Sequence, residues 1–336
     1  MKKIMLIIMT GLLVFGLTAC SSGSSSKKDA STTKKLQKVT VMLDWTPNTN
    51  HTGLYVAKEK GYFKEQGLDV TIEQPSKSGT DQMVAAGKAD FGVSFQEDVT
   101  KAQSQGIPLV SIAAIIQHNT SAFASLKKDN MTSIKDYEGK TYGGWGTDVE
   151  EAILKSVMQK NGADPNKVKI LTLGDTDFLK SIGRQADFEW IYYGWEGIDA
   201  ELNGKKLNYV WLKDLDPKLD FYSPVIVTNE NHIKNQPELV KKFMAATSKG
   251  YTYSIKHPEE AAGILEKNAP ELNKELVLKS QKWLSPRYQA DASQWGIQKD
   301  SVWTNFISWA SKNKVIDKTI DPSKAFTNDF LPKNGD

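Results

Sequence analysis

The sequence predicts an α/β protein of two lobes joined by two crossings. Strand and helix patterns alternate from Val39 to Ile116, and a second such run starts near Leu126. Beyond Thr228 the pattern turns helical. A small α/β unit set between an α/β start and a helical end leaves the chain crossing between two layered units twice.

Val39, Val41 and Leu43 alternate with Thr40 and Met42, the period of a half-buried strand. Pro47 stops that strand, and Tyr55, Val56 and Ala57 open a helix running to Lys60-Gly61. Residues 68–72 form a second strand, and 80–88 a helix with Thr80 or Ser78 as its cap. Residues 89–94 follow as a third strand, 98–105 as a helix and 109–116 as a strongly apolar fourth strand. This order predicts a parallel sheet with right-handed crossovers.

In the second unit, 141–144 make a short strand. Val149, Ile153, Leu154, Val157 and Met158 give one face of a helix that Asn161-Gly162 ends. Residues 168–173, 187–192, 207–211 and 223–228 read as strands. Leu239, Val240, Phe243 and Met244 share a face of a long helix stopped by Pro258. Further helices are expected near 259–266, 275–283 and 301–312. With crossings near 117–125 and 221–227, residues 36–120 and 225–336 make lobe I and 121–224 lobe II. The cleft between lobes is the expected ligand site.

The N-terminus speaks to compartment. Lys2 and Lys3 precede an apolar run over 4–17, too short to span a bilayer comfortably. Leu17-Thr18-Ala19-Cys20 has the form of a lipobox, so 1–19 read as a signal peptide and Cys20, the single Cys, as the lipidated N-terminus. Residues 20–35 form a polar tether with a root-mean-square reach of roughly 20 Å. Removing two signal lysines from a formal net charge of +3 leaves a near-neutral chain. With no basic block outside the tether, nucleic acid is not expected as a partner.

Three clusters carry the candidate chemistry. Trp45, Asn48, Asn50 and His51 lie beyond the first strand, where ligands of open α/β sheets bind. Asn48 and Trp45 are expected at the ligand, with His51 beside them and Gln96 past the third strand. Trp190, Tyr192, Tyr193 and Trp195, with Glu196 following, crowd another strand end. Such rings give faces to stack on, and Glu196 can accept charge-assisted N–H bonds. Gly144, Trp145 and Thr147 belong to a glycine-rich turn before a helix, whose N–H groups suit a polar arm. The turn lacks the lysine and glycine spacing of a phosphate loop. The four histidines are too scattered for a zinc helix, and no serine sits in a nucleophile elbow. Neither metal nor cofactor is expected.

The runs Leu-Asp-Trp-Thr-Pro-Asn-Thr-Asn-His-Thr-Gly at 43–53 and Tyr-Tyr-Gly-Trp-Glu-Gly at 192–197 are distinctive. With Gly-Tyr-Phe-Lys-Glu-Gln-Gly-Leu-Asp-Val at 61–70 and Gly-Lys-Ala-Asp-Phe-Gly-Val at 87–93, the chain resembles bacterial ABC-importer substrate-binding lipoproteins. The group includes thiamine-pyrimidine precursor binders and the fungal thiamine-pyrimidine synthases, and the likeness runs from about Val39 to Asn313. The resemblance implies a periplasmic-binding-protein type II fold, closing on N-formyl-4-amino-5-aminomethyl-2-methylpyrimidine or a relative. It implies delivery to an ABC permease with its ATPase, from a monomer anchored outside the cell membrane. Trp45 would face Tyr193 or Trp195 across the ring, Glu196 would read its amine, and the 143–147 turn would take the formamide.

The fungal enzymes carry a pyridoxal-phosphate lysine and a histidine after the third strand; aligned through Gly92, this chain has Ser94 and Asp98 there. Without that amine, and without their cysteine-rich run, the resemblance implies a binder and not an enzyme. Two rival ligands stay open: a larger flat heterocycle such as riboflavin, or a sulfonate- or nitrate-type anion. An anion would call for an Arg or clustered amides, and no Arg lies in the three clusters.

Overall fold

A computed structural model describes residues 35–333; the signal peptide, Cys20 and the tether up to Lys34 lie outside the described residues. The body holds two five-stranded sheets. The first is built from β1 (Gln37–Met42), β2 (Leu68–Glu73), β3 (Phe91–Ser94), β4 (Leu109–Ala114) and β10 (Val225–Asn229), in the order β2-β1-β3-β10-β4. The second comprises β5 (Ser121–Leu126), β6 (Thr141–Gly144), β7 (Lys169–Thr172), β8 (Phe188–Tyr192) and β9 (Leu207–Trp211), in the order β7-β6-β8-β5-β9.

Neither sheet is wholly parallel, which corrects the sequence expectation. β1 pairs parallel with β2 and β3, but β10 runs antiparallel to β3 and β4. Likewise β6 is parallel to β7 and β8, while β5 opposes β8 and β9. The reversed strand in each sheet is the one the chain makes on arriving from the other sheet. Leaving at the carboxyl end of β4, it enters the second sheet from the edge where the other strands finish. Its direction is therefore inverted. β5 falls largely within the crossing expected near 117–125, and its Ser-Ala-Phe-Ala-Ser-Leu holds no β-branched residue. Burial of its first five side chains makes it a strand nonetheless.

The helix Pro237–Lys256 packs along Thr52–Glu59 behind the first sheet. A Cβ on Gly250 would lie 2.0 Å from the carbonyl oxygen of Gly53, so the two backbones meet at a distance only glycine permits. This contact backs the 44–51 turn. Helix Lys274–Gln289 runs past Trp283, through Pro286, because Leu284, Ser285 and Tyr288 are buried. Its Ser280 hydroxyl bonds to the Gly194 carbonyl beyond β8 and sits 2.5 Å from the Thr49 hydroxyl beyond β1. One helix thus touches the strand ends of both sheets. Among the described residues no helix is long and apolar enough to cross a membrane.

The two connections between sheets, residues 115–120 and 212–224, run side by side. Asn119 donates its N–H to Asp220 at 2.8 Å, and Ile115 donates to the Pro224 carbonyl at 3.0 Å. His118 lies between Asp220 (2.7 Å) and Asp291 (3.0 Å), whose hydrogen bonds and charges hold its pKa above the ordinary 6.5. A group so raised stabilises the fold fully below its unfolded pKa and loses that effect as pH rises through the folded one. The melting temperature of the protein should therefore exceed that of His118→Gln most at pH 6, with the gap closing toward pH 9. A gap constant with pH would show that the ion pairs contribute nothing.

Candidate functional site

The carboxyl ends of both sets of parallel strands bring together most of the chemistry. Beyond β1, the ring of His51 is fully buried and lies 2.5 Å from Asp44 through Nε2. Its Nδ1 faces the Asn48 N–H at 3.1 Å. A backbone N–H can only donate, so Nδ1 accepts and the ring proton sits on Nε2, directed at Asp44. The Asn48 side chain accepts from the Asn50 N–H at 2.9 Å and donates to the Thr46 carbonyl at 3.2 Å. The structure therefore places Asn48 and His51 in the turn's own hydrogen bonds, as an Asx-type turn does. Trp45 is different. It is 47 % exposed and stacks on no other aromatic ring among the described residues.

The second strand end splits its aromatics. Side chains alternate across β8, so Trp190 and Tyr192 share one face. Trp145, 42 % exposed on the turn after β6, lies over both: ring centroids are 5.6 Å from Trp190 and 6.2 Å from Tyr192, the latter within 12° of parallel. Phe95, just beyond β3 of the other sheet, stands 6.4 Å from Tyr192 at 16°. Phe95, Tyr192 and Trp145 thus form a near-parallel series drawn from both sheets. Ser223, on the return crossing, donates its hydroxyl to the Tyr192 oxygen at 3.0 Å.

Tyr193 turns the other way. Its ring meets Tyr209, Trp211 and Trp283 at 5.2, 5.6 and 4.9 Å and lines a separate hollow of about 490 Å³ with Asn119 and Arg287. Trp195 packs half-buried on the core of the first sheet. Trp45 stacks on neither Tyr193 nor Trp195, and the near-parallel rings are Phe95, Tyr192 and Trp145. Glu196 sits in the wide turn Tyr193–Gly197 and accepts the Tyr192 N–H at 3.2 Å. Burial pushes its carboxyl up to about 7. Gln96 is buried: it accepts from the Tyr222 N–H at 2.8 Å and donates to the Val302 carbonyl at 3.3 Å, securing the return crossing.

The glycine-rich turn does not offer free N–H groups, which corrects the expected pocket for a polar arm. The Glu150 carboxylate accepts from Trp145, Gly146 and Thr147 N–H at 3.1, 2.9 and 3.4 Å and from the Tyr142 hydroxyl at 2.6 Å. Thr147 in return accepts the Glu150 N–H at 3.3 Å, completing a capping box. A Cβ on Gly144 would come 2.8 Å from Glu150 Oε1, so that glycine makes room for the chain's own anion.

Four carboxylates at the carboxyl edge of the first sheet carry no common motif in the sequence. Asp44 follows β1, Asp81 opens the helix Thr80–Ala85, and Glu97 and Asp98 open Gln96–Ser104. Burial and then Asp98 push Asp81 up to about 7, burial lifts Asp98 to about 6, and Glu97 is raised by burial and by Asp98. The one sequence signal was the acidic pair directly beyond β3. These residues do not suit pyridoxal phosphate. Neither Ser94 nor Asp98 offers an amine for a Schiff base, Lys101 lies 3.6 Å from Asp148 across the gap, and the acids would repel a phosphate. Among the described residues no cluster of His, Cys, Asp or Glu is arranged to hold a metal ion.

Comparison with known proteins adds family and fold. The family profile "NMT1/THI5 like" matches residues 48–261. A formylaminopyrimidine-binding protein of Halalkalibacterium halodurans is 30 % identical over 94 % of this chain and 96 % of its own length. A 4-amino-5-hydroxymethyl-2-methylpyrimidine phosphate synthase of Legionella pneumophila is 27 % identical over 88 % of this chain and 92 % of its own. The alkanesulfonate-binding protein SsuA of Xanthomonas axonopodis pv. citri superposes with a TM-score of 0.67 at 13 % identity, covering 87 % of this chain and 99 % of that one. That likeness speaks for the fold alone: two α/β lobes of the periplasmic-binding-protein type, as the sequence implied.

Proposed function

Because the chain belongs to the NMT1/THI5-like family, we propose that it is the extracytoplasmic solute-binding component of an ABC importer. Its ligand is a thiamine pyrimidine precursor such as N-formyl-4-amino-5-aminomethyl-2-methylpyrimidine. The protein works as a monomer, held to the membrane by a lipid on Cys20, and hands its ligand to a permease with its ATPase.

The observation that carries this reading is the near-parallel series of Phe95, Tyr192 and Trp145, with Glu196 hydrogen-bonded to the Tyr192 backbone. A flat ring seated against these faces gains about 0.5–1.5 kcal/mol per aromatic contact beyond area burial. Glu196 gives such a ring its orientation by accepting N–H bonds from the exocyclic amine. Since the rings come from both lobes, the ligand touches all of them only when the lobes are together, and binding shifts the population toward closure. The Lys101–Asp148 pair across the gap is exposed and adds little.

An anion reading finds no support in the arginines: Arg287 lies over Trp283, 3.7 Å from its ring centre, beside the separate hollow. The synthase reading lacks its amine. A thermal-shift panel tests all of these with an aminopyrimidine, riboflavin, an alkanesulfonate and pyridoxal phosphate. The aminopyrimidine should stabilise the protein by about 2.7 kcal/mol at a hundredfold excess over its dissociation constant. Stabilisation by one of the other three, with none from the pyrimidine, would replace this function.

A further inference from the structure

The four carboxylates at the edge of the first sheet are not used by a stack of rings and a single acid. Like charges gathered at one edge oppose folding, so their retention calls for an occupant. Two further observations point to one. Ser94, the last residue of β3, is 2 % exposed, faces Asp81, and makes no hydrogen bond of good geometry. Glu97 is 8 % exposed, and its Oε2 has no partner either, nor has Asp81 Oδ1. Buried polar atoms are nearly always satisfied, and orphans grouped at one place mark an absent partner.

What could satisfy them is constrained by the donors already present. Lys101 faces Asp98 but reaches out to Asp148, and the ring proton of His51 is given to Asp44. Asp81, Glu97 and the outer side of Asp98 retain open acceptor positions. A metal ion is not indicated, because the acids are not arranged as a coordination sphere. A compact organic cation with several N–H donors suits them better, since each donor can meet a different oxygen. The acids also adjoin the rings: Glu97 and Asp98 both act electrostatically on the Tyr192 hydroxyl.

We propose that this edge is a cation subsite in which Asp98, Asp81 and Glu97 receive a primary ammonium carried on the arm of the bound ring. The inference rests on the ring-binding function above and narrows it: the preferred ligand carries a free aminomethyl arm in place of the neutral formamide. Rings stack between the lobes while the arm reaches toward β3.

The test uses the full chain with two matched pairs of probes. One pair is 4-amino-5-aminomethyl-2-methylpyrimidine and its N-formyl derivative; the other is benzylammonium and benzyl alcohol. Calorimetry should show the charged member of each pair binding at least about tenfold tighter, the effect of one charge-assisted bond. In Asp98→Asn and in Glu97→Gln that preference should shrink severalfold, while the unliganded melting temperature rises because like-charge crowding is relieved. Pyrimidines that bind without charge preference, or a preference unchanged in both variants, would overturn the subsite and leave the ring-binding function standing. If neither pyrimidine binds but benzylammonium does, and Asp98→Asn weakens it, the subsite stands and the pyrimidine reading fails.

Discussion

Replacing Glu150 with alanine should destabilise the protein by about 3–5 kcal/mol. The side chain is 2 % exposed and is the common acceptor for three backbone N–H groups and the Tyr142 hydroxyl. Each buried donor left unsatisfied costs about 1–3 kcal/mol, and the costs are not additive because the turn can relax and admit water. A fall in melting temperature on the order of 10 °C follows. Function should suffer as well, since the same N–H groups fix the backbone that presents Trp145 to Tyr192. Added formate or acetate should recover part of the lost stability, because the alanine variant keeps the cradle of N–H donors and lacks only the anion. A variant as stable as the parent, unaffected by formate, would show that the carboxylate does not organise this turn.

Glu150 also illustrates what the sequence could and could not convey. Its position in a first helical turn was legible, as was the glycine-rich run before it, and the helix Asp148–Lys160 follows from its apolar spacing. That the two features occupy each other was not, because an N–H cradle looks the same in sequence whether its anion comes from a ligand or from the same chain. Aromatic density at 190–195 marked the strand end where Trp190 and Tyr192 meet Trp145. The face on which each ring lies depends on strand register, and a one-residue difference exchanges Tyr192 for Tyr193. Most strands were legible from alternation, and 207–211 agrees with β9 to the residue. β5 was not, since its small side chains gain strand character only from the sheets that bury them. Asp44, Asp81 and Asp98 are separated along the chain and meet only because parallel strands finish at one edge. No local pattern announces such a meeting.

Glu196→Gln should weaken aminopyrimidine binding at least about tenfold while making the unliganded protein more stable at high pH. The two effects have separate origins. Losing a charge-assisted hydrogen bond costs about 1.5–3 kcal/mol, or roughly 10- to 150-fold in affinity. Stability follows from the free carboxyl, which burial lifts from 4.5 to about 7. Between those values the folded chain keeps a proton that the unfolded chain has released. Stability falls with rising pH wherever the folded state binds more protons. Glu196 therefore erodes stability as pH rises from 4.5 to about 7, and the full loss persists above it. Glutamine carries no charge to bury, so the variant should melt with the parent near pH 4.5 and above it at pH 8. Binding should show the complementary trend: affinity of the parent rises through pH 7 as the acceptor ionises, relative to a variant without that step. Calorimetry at pH 5.5, 7 and 8.5 on both proteins cancels any titration of the ligand itself. Parallel affinity profiles would remove Glu196 from ligand recognition, and a variant that melts lower at every pH would mean that its carboxyl serves the fold.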